Sequence, residues 1–233
     1  MEKIKQNAIV KRIGFNRLVL LCVMVLLYLL FALITPMVKA NASFVSYARM
    51  VSALKYAYFL GFLSLGVTFV IATGGIDFSI GPVMFCAALI SGYLLTAKGW
   101  PLVLCLLVCI LVGTVFGILN GVLVAYAGLP SFITSMASMM LAKGIGSVFT
   151  KTQSVSWPQL NDPNGWYRNL VGIKMGNGEF PTGLVLLILG AVICAIILNK
   201  TMAGRYILSI GSNREAVRLS GGNTKRCETL TYI

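Results

Sequence analysis

Long apolar runs separated by short polar stretches limit this chain more than any other feature. They extend from Leu18 to Val38, then over about Leu54–Thr73, Ile80–Ala97, Pro101–Ala127, Pro130–Thr150 and Gly183–Leu198. A helix that crosses a bilayer needs about 20 apolar residues, and these runs are near that length. Inside a membrane every backbone polar group must be paired within the protein, which leaves helices or a closed barrel. A barrel would show short alternating segments, and these runs do not alternate. Composition agrees, with 58% of residues hydrophobic and 11% charged, against about 25% charged in a soluble domain. The expected fold is all-α, a polytopic membrane helix bundle with about six spanning helices. Disorder, a collagen-like chain and a disulfide scaffold are excluded on the same grounds.

The 19 Lys and Arg against 6 Asp and Glu give a net charge of +13. These basic residues gather at the ends of apolar runs, where anionic headgroups attract them and orientation is set. With no basic patch carrying interleaved aromatics, nucleic acid is not expected as a partner; the lipid bilayer is. Lys3, Lys5, Lys11, Arg12 and Arg17 precede the first run, and Ala40-Asn41-Ala42 resembles a signal-peptide cleavage site. A signal-peptide core is about 7–15 residues, so the longer run reads as a retained helix with its basic end in the cytoplasm. Threading the runs alternately puts residues 1–17 inside, a membrane domain over 18–199 and the tail 200–233 inside. Lys200, Arg205, Arg214, Arg218, Lys225 and Arg226 join the first five inside. Lys39, Arg49, Lys55, Lys98, Lys151, Arg168 and Lys174 fall in outer loops, and Lys143 within a helix. The loop 151–181 is then extracytoplasmic, its Trp157, Trp166 and Tyr167 read as interface anchors in preference to a ligand cage.

Histidine is absent, which removes the commonest metal ligand and general base. Cys105 and Cys109 stand at i, i+4 spacing, yet cysteines in apolar runs are read first as packing residues. No metal site, no bound cofactor and no catalytic residue is expected.

Chemistry is concentrated in two segments. Thr73-Gly74-Gly75-Ile76-Asp77-Phe78-Ser79-Ile80-Gly81-Pro82 breaks two apolar runs with glycines, an acid and a proline. Non-helical backbone at membrane depth survives only where protein buries it or it lines a cavity, and broken helices build transporter paths. Asp77 is thus a functional candidate, although it or Ser79 can equally cap the next helix, with Pro82 in its first turn. Gly74, Gly75, Asp77, Ser79, Asn120, Thr134 and Lys143 form the candidate substrate pathway. Lys143 either neutralises Asp77 or snorkels to an interface. Gly113, Gly117, Gly121, Ser131, Ser135, Ser138, Gly144 and Gly146 read as packing positions where helices approach closely.

The second segment is the tail. Ser212 or Asn213 can cap a short helix, Gly221 suits its left-handed C-terminal turn, and Ala216, Val217 and Leu219 supply an apolar side. A helix this short is marginal alone and needs a surface, either the membrane or a partner protein.

At this point the residues resemble a known family. Gly-Gly-Ile-Asp-Phe-Ser-Ile-Gly at 74–81, Asn120-Gly121, Pro130-Ser131-Phe132-Ile133-Thr134 and the stretch Gly211 to Gly221 are similar, in order, to segments of permease subunits from ribose/xylose/galactose-type ABC importers. The likeness runs from about the second helix to the end of the chain, and corresponds to the N-terminal part of such a permease. It implies a multi-pass protein of the bacterial plasma membrane that moves a monosaccharide inward. It also implies a second permease subunit (homo- or heterodimer), an ABC ATPase subunit using ATP and Mg, and an extracytoplasmic sugar-binding protein. The tail would couple to the ATPase through Gly204, Arg205, Gly211, Asn213, Arg214, Glu215, Ala216, Arg218, Leu219 and Gly221. The chain has no phosphate-binding loop of its own, as suits a permease. Family members continue with further helices where this chain reaches Thr231-Tyr232-Ile233, so the resemblance implies a fragment or a truncated reading frame, with 200–233 holding the coupling segment and the start of another helix. The alternatives are a permease of the same architecture for a branched-chain amino acid or a furanone signal, and a membrane-embedded enzyme. The enzyme finds little support in a chain with no histidine and one acid near its apolar core.

Overall fold

A computed structural model describes residues 15–38, 46–175 and 178–233. Lys3, Lys5, Lys11, Arg12, Lys39 and the Ala40-Asn41-Ala42 stretch lie outside the described residues. The described chain is almost wholly helical, with α1 at Phe15–Val38, α2 at Tyr47–Ala72, α3 at Ile80–Ala97, α4 at Leu102–Ala125 and α5 at Ser131–Phe149. A long connection carries a 3₁₀ turn, Gly165–Leu170, and a small hairpin of β1 (Ile173–Met175) and β2 (Gly178–Phe180). Then come α6 (Thr182–Lys200), α7 (Met202–Leu219) and α8 (Thr224–Leu230). Six of these helices, α1 to α6, are long and apolar enough to cross a membrane, as the hydropathy pattern predicts. By contact the chain divides into two compact units, residues 1–53 and 54–233.

Proline sets several starts. Pro101, Pro130 and Pro181 stand immediately before α4, α5 and α6, where a missing N–H leaves nothing unpaired and φ is already helical. One boundary departs from expectation: α2 begins seven residues before Leu54. The Ser46 hydroxyl oxygen accepts the Arg49 N–H at 3.4 Å, the geometry of a helix cap. Arg49 and Lys55 therefore ride on the first turns of α2 instead of an outer loop. Lys55 pairs with Glu179 of β2 at 2.5 Å. The polar first turns dilute the hydropathy signal without weakening the helix.

The core of the second unit is built around α3. Val83, Cys86 and Ile90 of α3 meet Phe116 of α4 and Ala142 of α5. A stripe of small residues on α5, with Ser135, Ser138, Ala142 and Gly146 all buried, lets that helix approach α3 closely. A Cβ on Gly146 would lie 3.5 Å from the Cys86 Cα. The sulfurs of Cys105 and Cys109 face different main-chain oxygens, those of Trp100 and Ala87, and both cysteines are free. They are packing residues.

The connection after α5 folds back onto the bundle. Trp157 lies against Gly92 and donates its indole N–H to the Ala88 carbonyl at 3.2 Å. Tyr167 stacks edge-on against it at 5.7 Å and donates to the Pro158 carbonyl, which also accepts from Arg168 at 2.6 Å. Two of the three aromatics read as interface anchors are thus turned inward. Trp166, half exposed, keeps the geometry an anchor needs.

Candidate functional site

α2 ends in a stop written as Thr73-Gly74-Gly75. The Gly74 N–H donates to Ile71 and the Gly75 N–H to Val70, at 2.9 and 3.1 Å. This crossed pair is the Schellman arrangement, which needs a left-handed residue at its first glycine. Gly74 supplies it with φ of +84°. The chain then enters the bundle. The Ile76 N–H donates to the Ser131 hydroxyl at 3.1 Å, and Ser135 donates to the Ile76 carbonyl at 3.4 Å. Phe78 packs edge-on against Phe132.

Asp77 turns back on its own loop. One carboxylate oxygen accepts both the N–H and the hydroxyl of Ser79, each at 2.7 Å. Asn120 of α4 donates to the Ser79 hydroxyl at 2.8 Å, and Ser138 of α5 donates to the Asn120 carbonyl oxygen. Ser79, Asn120 and Ser138 are buried. A fully satisfied polar chain in a low-dielectric interior fixes one arrangement of its elements, because any shift leaves an unpaired group behind. Here it ties the start of α3 to α4 and α5. The chain borders a cavity of about 460 Å³, whose walls include Asp77, Ser79, Gly113, Phe116, Gly117 and Asn120.

The tail folds against the same end. Thr201 caps α7, its hydroxyl oxygen accepting the Gly204 N–H at 3.1 Å. Gly204 lies where a Cβ would collide with carbonyls at the end of α6, and Gly211 where one would collide with the Ala72 carbonyl of α2. The helix breaks at Asn213, whose backbone is extended at φ −158° and ψ 97°. The Asn213 side chain accepts the Ala216 N–H at 3.1 Å and so starts a second short helix. That helix ends at Gly221 (φ +81°), with Gly221 donating to Arg218 and Gly222 to Val217.

Residues 214–219 take part of their support from the chain itself, through Val217 and Arg214. Val217 is buried and Ala216 and Leu219 are exposed. Arg214 reaches Glu228 of α8 at 2.5 Å. Burial pushes the Glu228 carboxyl above the ordinary range, and the charge and hydrogen bond of Arg214 draw it partly back. Glu215 and Arg218 pair with each other at 2.5 Å in the open, and that hydrogen bond holds Glu215 below the ordinary range.

Residues 49–233 match the family described as branched-chain amino acid transport system / permease component. The chain belongs to this permease family. Among proteins it resembles is a fructose import permease of Bifidobacterium longum, 32% identical over 209 residues that cover 86% of this chain and 60% of the relative. A galactofuranose transporter permease of Escherichia coli is 31% identical over 175 residues, 73% of this chain and 48% of the relative. A ribose import permease of Bacillus subtilis is 30% identical over 208 residues, 87% of this chain and 61% of the relative. The chain therefore spans about half to three-fifths the length of these relatives. All are named as permeases and none as an enzyme, as the sequence reading expects. No solved structure matches.

Within this family member the fold gathers Gly74, Gly75, Asp77, Ser79 and Asn120 into one place. Thr134 is buried nearby on the same helix as Ser131 and Ser135, its hydroxyl without a protein partner. Lys143 stands apart. It is exposed on α5, twelve residues past Ser131, or about 18 Å along the axis at 1.5 Å per residue. Among the described residues the ion pairs do not join it to Asp77. Of the coupling residues, Gly204 and Gly211 serve close approach, Asn213 and Gly221 start and stop the short helix, and Arg205, Glu215, Ala216, Arg218 and Leu219 are exposed. Two residues were missed from sequence. Glu228 is the partner of Arg214, and Tyr232 lies over Gly75 and lines one cavity with Ser131. Opposite charges on either side of a Gly-Gly stop were the available signal for the first.

Proposed function

We propose that this chain is the membrane-spanning permease part of a binding-protein-dependent importer that brings a monosaccharide into the cytoplasm of a bacterium, using ATP hydrolysed by a partner subunit. The observation that carries the reading is the set of relatives: over the same stretch the chain resembles permeases named for fructose, galactofuranose and ribose. A branched-chain amino acid is the second reading, favoured by the description of the family.

The fold supports a division of labour. Residues 73–79, 126–130 and 201–223 lie at one end of the second unit, with Lys225 over the Tyr126 ring and Gly211 on Ala72. This end carries Lys200, Arg205, Arg214, Arg218, Lys225 and Arg226, which supports a cytoplasmic placement. The connection 151–181 then faces outward, toward a sugar-binding protein. Exposed Ala216 and Leu219, flanked by the Glu215–Arg218 pair, are the docking points for the ATPase, and the cavity beside Asp77, Ser79 and Asn120 borders the path of the solute. These three residues hydrogen-bond in series and on to Ser138, so they act by holding the loop in shape. A second permease subunit completes the path.

Uptake decides between the readings. The transporter containing this chain, expressed with its ATPase and binding protein in a strain deleted for sugar importers, is expected to accumulate labelled fructose, ribose or galactose and not labelled leucine. Accumulation of leucine alone would transfer the assignment to amino acids.

A further inference from the structure

Three contacts connect the coupling segment to the Gly74–Ser79 loop, and none of them lies on the docking face. The first is Arg214, the first residue after the break at Asn213. Its guanidinium holds Glu228 of α8, whose side chain is 10% exposed, at 2.5 Å. The second is Tyr232, one helical turn after Glu228. Its hydroxyl lies over Gly75, 2.9 Å from where a Cβ would stand, and it lines the same cavity as Ser131. Ser131 in turn accepts the Ile76 N–H at 3.1 Å. The third is the seat of Gly211 on the Ala72 carbonyl, at the stop of α2 itself. Arg214, Glu228, Tyr232, Gly75 and Ser131 line one cavity of about 260 Å³, so the links converge on one space.

We propose that Arg214, Glu228 and Tyr232 are positioning residues that transmit movement of the coupling segment to the Gly74–Ser79 loop. This rests on the reading that residues 214–219 dock on an ATPase subunit. The break at Asn213 lets 214–219 swing as a unit, because an extended residue interrupts the helical hydrogen-bond ladder there. A swing carries Arg214 with it. The nearly buried Glu228 carboxylate must follow its counter-ion or stay in low dielectric unpaired, which is costly. Glu228 and Tyr232 ride together on α8 and the turn after it, where Thr231 and Tyr232 donate to Glu228 and Thr229. Displacing Tyr232 frees the space over Gly75, beside the Ser131 hydroxyl that holds the Ile76 N–H. The loop then has a second arrangement open to it, and Asp77 and Ser79 move with it.

The test uses the complete transporter with its ATPase and binding protein in membrane vesicles. Co-purification of the ATPase, ATP hydrolysis and solute uptake are measured on the same preparations. Glu228→Gln and Tyr232→Phe keep shape while removing the charge and the hydroxyl. They are expected to retain the ATPase and its hydrolysis while uptake per ATP falls about five- to tenfold, the low end of a typical coupling between sites. Exchanging the pair, Arg214→Glu with Glu228→Arg, is expected to recover more uptake per ATP than Arg214→Glu alone. Unchanged uptake per ATP in both Glu228→Gln and Tyr232→Phe would overturn the proposal. Absence of the ATPase from the unmutated preparation would instead overturn the docking reading on which it rests.

Discussion

Two helices in this chain stop in the same way and meet opposite surroundings. α2 ends in Thr73-Gly74-Gly75 and the second half of α7 in Ser220-Gly221-Gly222. In both, the first glycine is left-handed, at +84° and +81°, and the paired N–H groups return to the last turn in the same crossed pattern. In both, the first glycine has open space around it and the second is crowded. Even the next polar side chain plays a like part. Asp77 accepts the Ser79 N–H and Asn223 accepts the Arg226 N–H. What differs is where the turn leads. After Gly75 the chain enters a buried polar network that spans three helices, and after Gly222 it enters α8, whose buried Glu228 pairs with the partly exposed Arg214. A stop signal fixes the direction change. Its function comes from what stands across from it.

The strongest way to break the comparison is Gly211→Ala. A methyl there collides with the Ala72 carbonyl, backbone against backbone, so the first stop must shift. Overpacking of this kind costs about 1–3 kcal/mol, and a large fall in the thermal unfolding midpoint in detergent is expected. An unchanged midpoint would show that α7 does not rest on α2.

Next in size is the inequality of the two polar residues. Asp77→Ala leaves the buried Ser79 hydroxyl without the acceptor it uses and is expected to cost about 1–3 kcal/mol. Asn223→Ala loses one exposed cap, about 1 kcal/mol. Asp77→Asn keeps the acceptor, and its midpoint is expected to stay close to that of the unmutated chain. Equal losses in the two alanine variants would mean the network adds nothing to the turn.

Smaller still, and the same at both ends, are Gly74→Ala and Gly221→Ala. Nothing crowds either site, so the cost is that of a left-handed alanine, about 1–2 kcal/mol in each. A marked difference in midpoint between them would reveal strain in one turn that the other lacks.

The smallest effects are electrostatic and differ in sign across the second stop. Glu215, held low by Arg218, contributes stability that is present above its ordinary 4.5 and lost as pH falls through its lowered value. Glu228, raised by burial, contributes stability that is present below 4.5 and lost as pH rises through its raised value. Between mildly acidic and neutral pH, Glu228→Gln is therefore expected to flatten the pH dependence of the unfolding midpoint. Arg218→Ala, at a fully exposed pair, is expected to leave it nearly unchanged in that range.

The spans were legible because apolar length is what a bilayer selects, and hydropathy measures apolar length. The start of α2 was not, because Ser46, Arg49 and Lys55 make a helix that is polar for its first turns. In the site, Asp77, Ser79, Asn120 and Ser138 each drew attention as polar residues in apolar runs. Their joining was hidden, since 41 residues separate Ser79 from Asn120 and nothing local records which helix faces which. Gly117 and Gly121 were recognised as close-approach positions, but not that the visitor is the backbone at Tyr232 and Thr229. The suggested meeting of Lys143 with Asp77 failed on distance along a helix, which sequence does supply once the register of α5 is known.

The indole of Trp157 has a further consequence. It pins the middle of α3 through Ala88, while Asp77 and Asn120 hold Ser79 at its start. A helix held at its start and at its middle cannot slide without giving up hydrogen bonds at each. α3 is therefore tied by side-chain hydrogen bonds both to α4 and to the connection that follows α5.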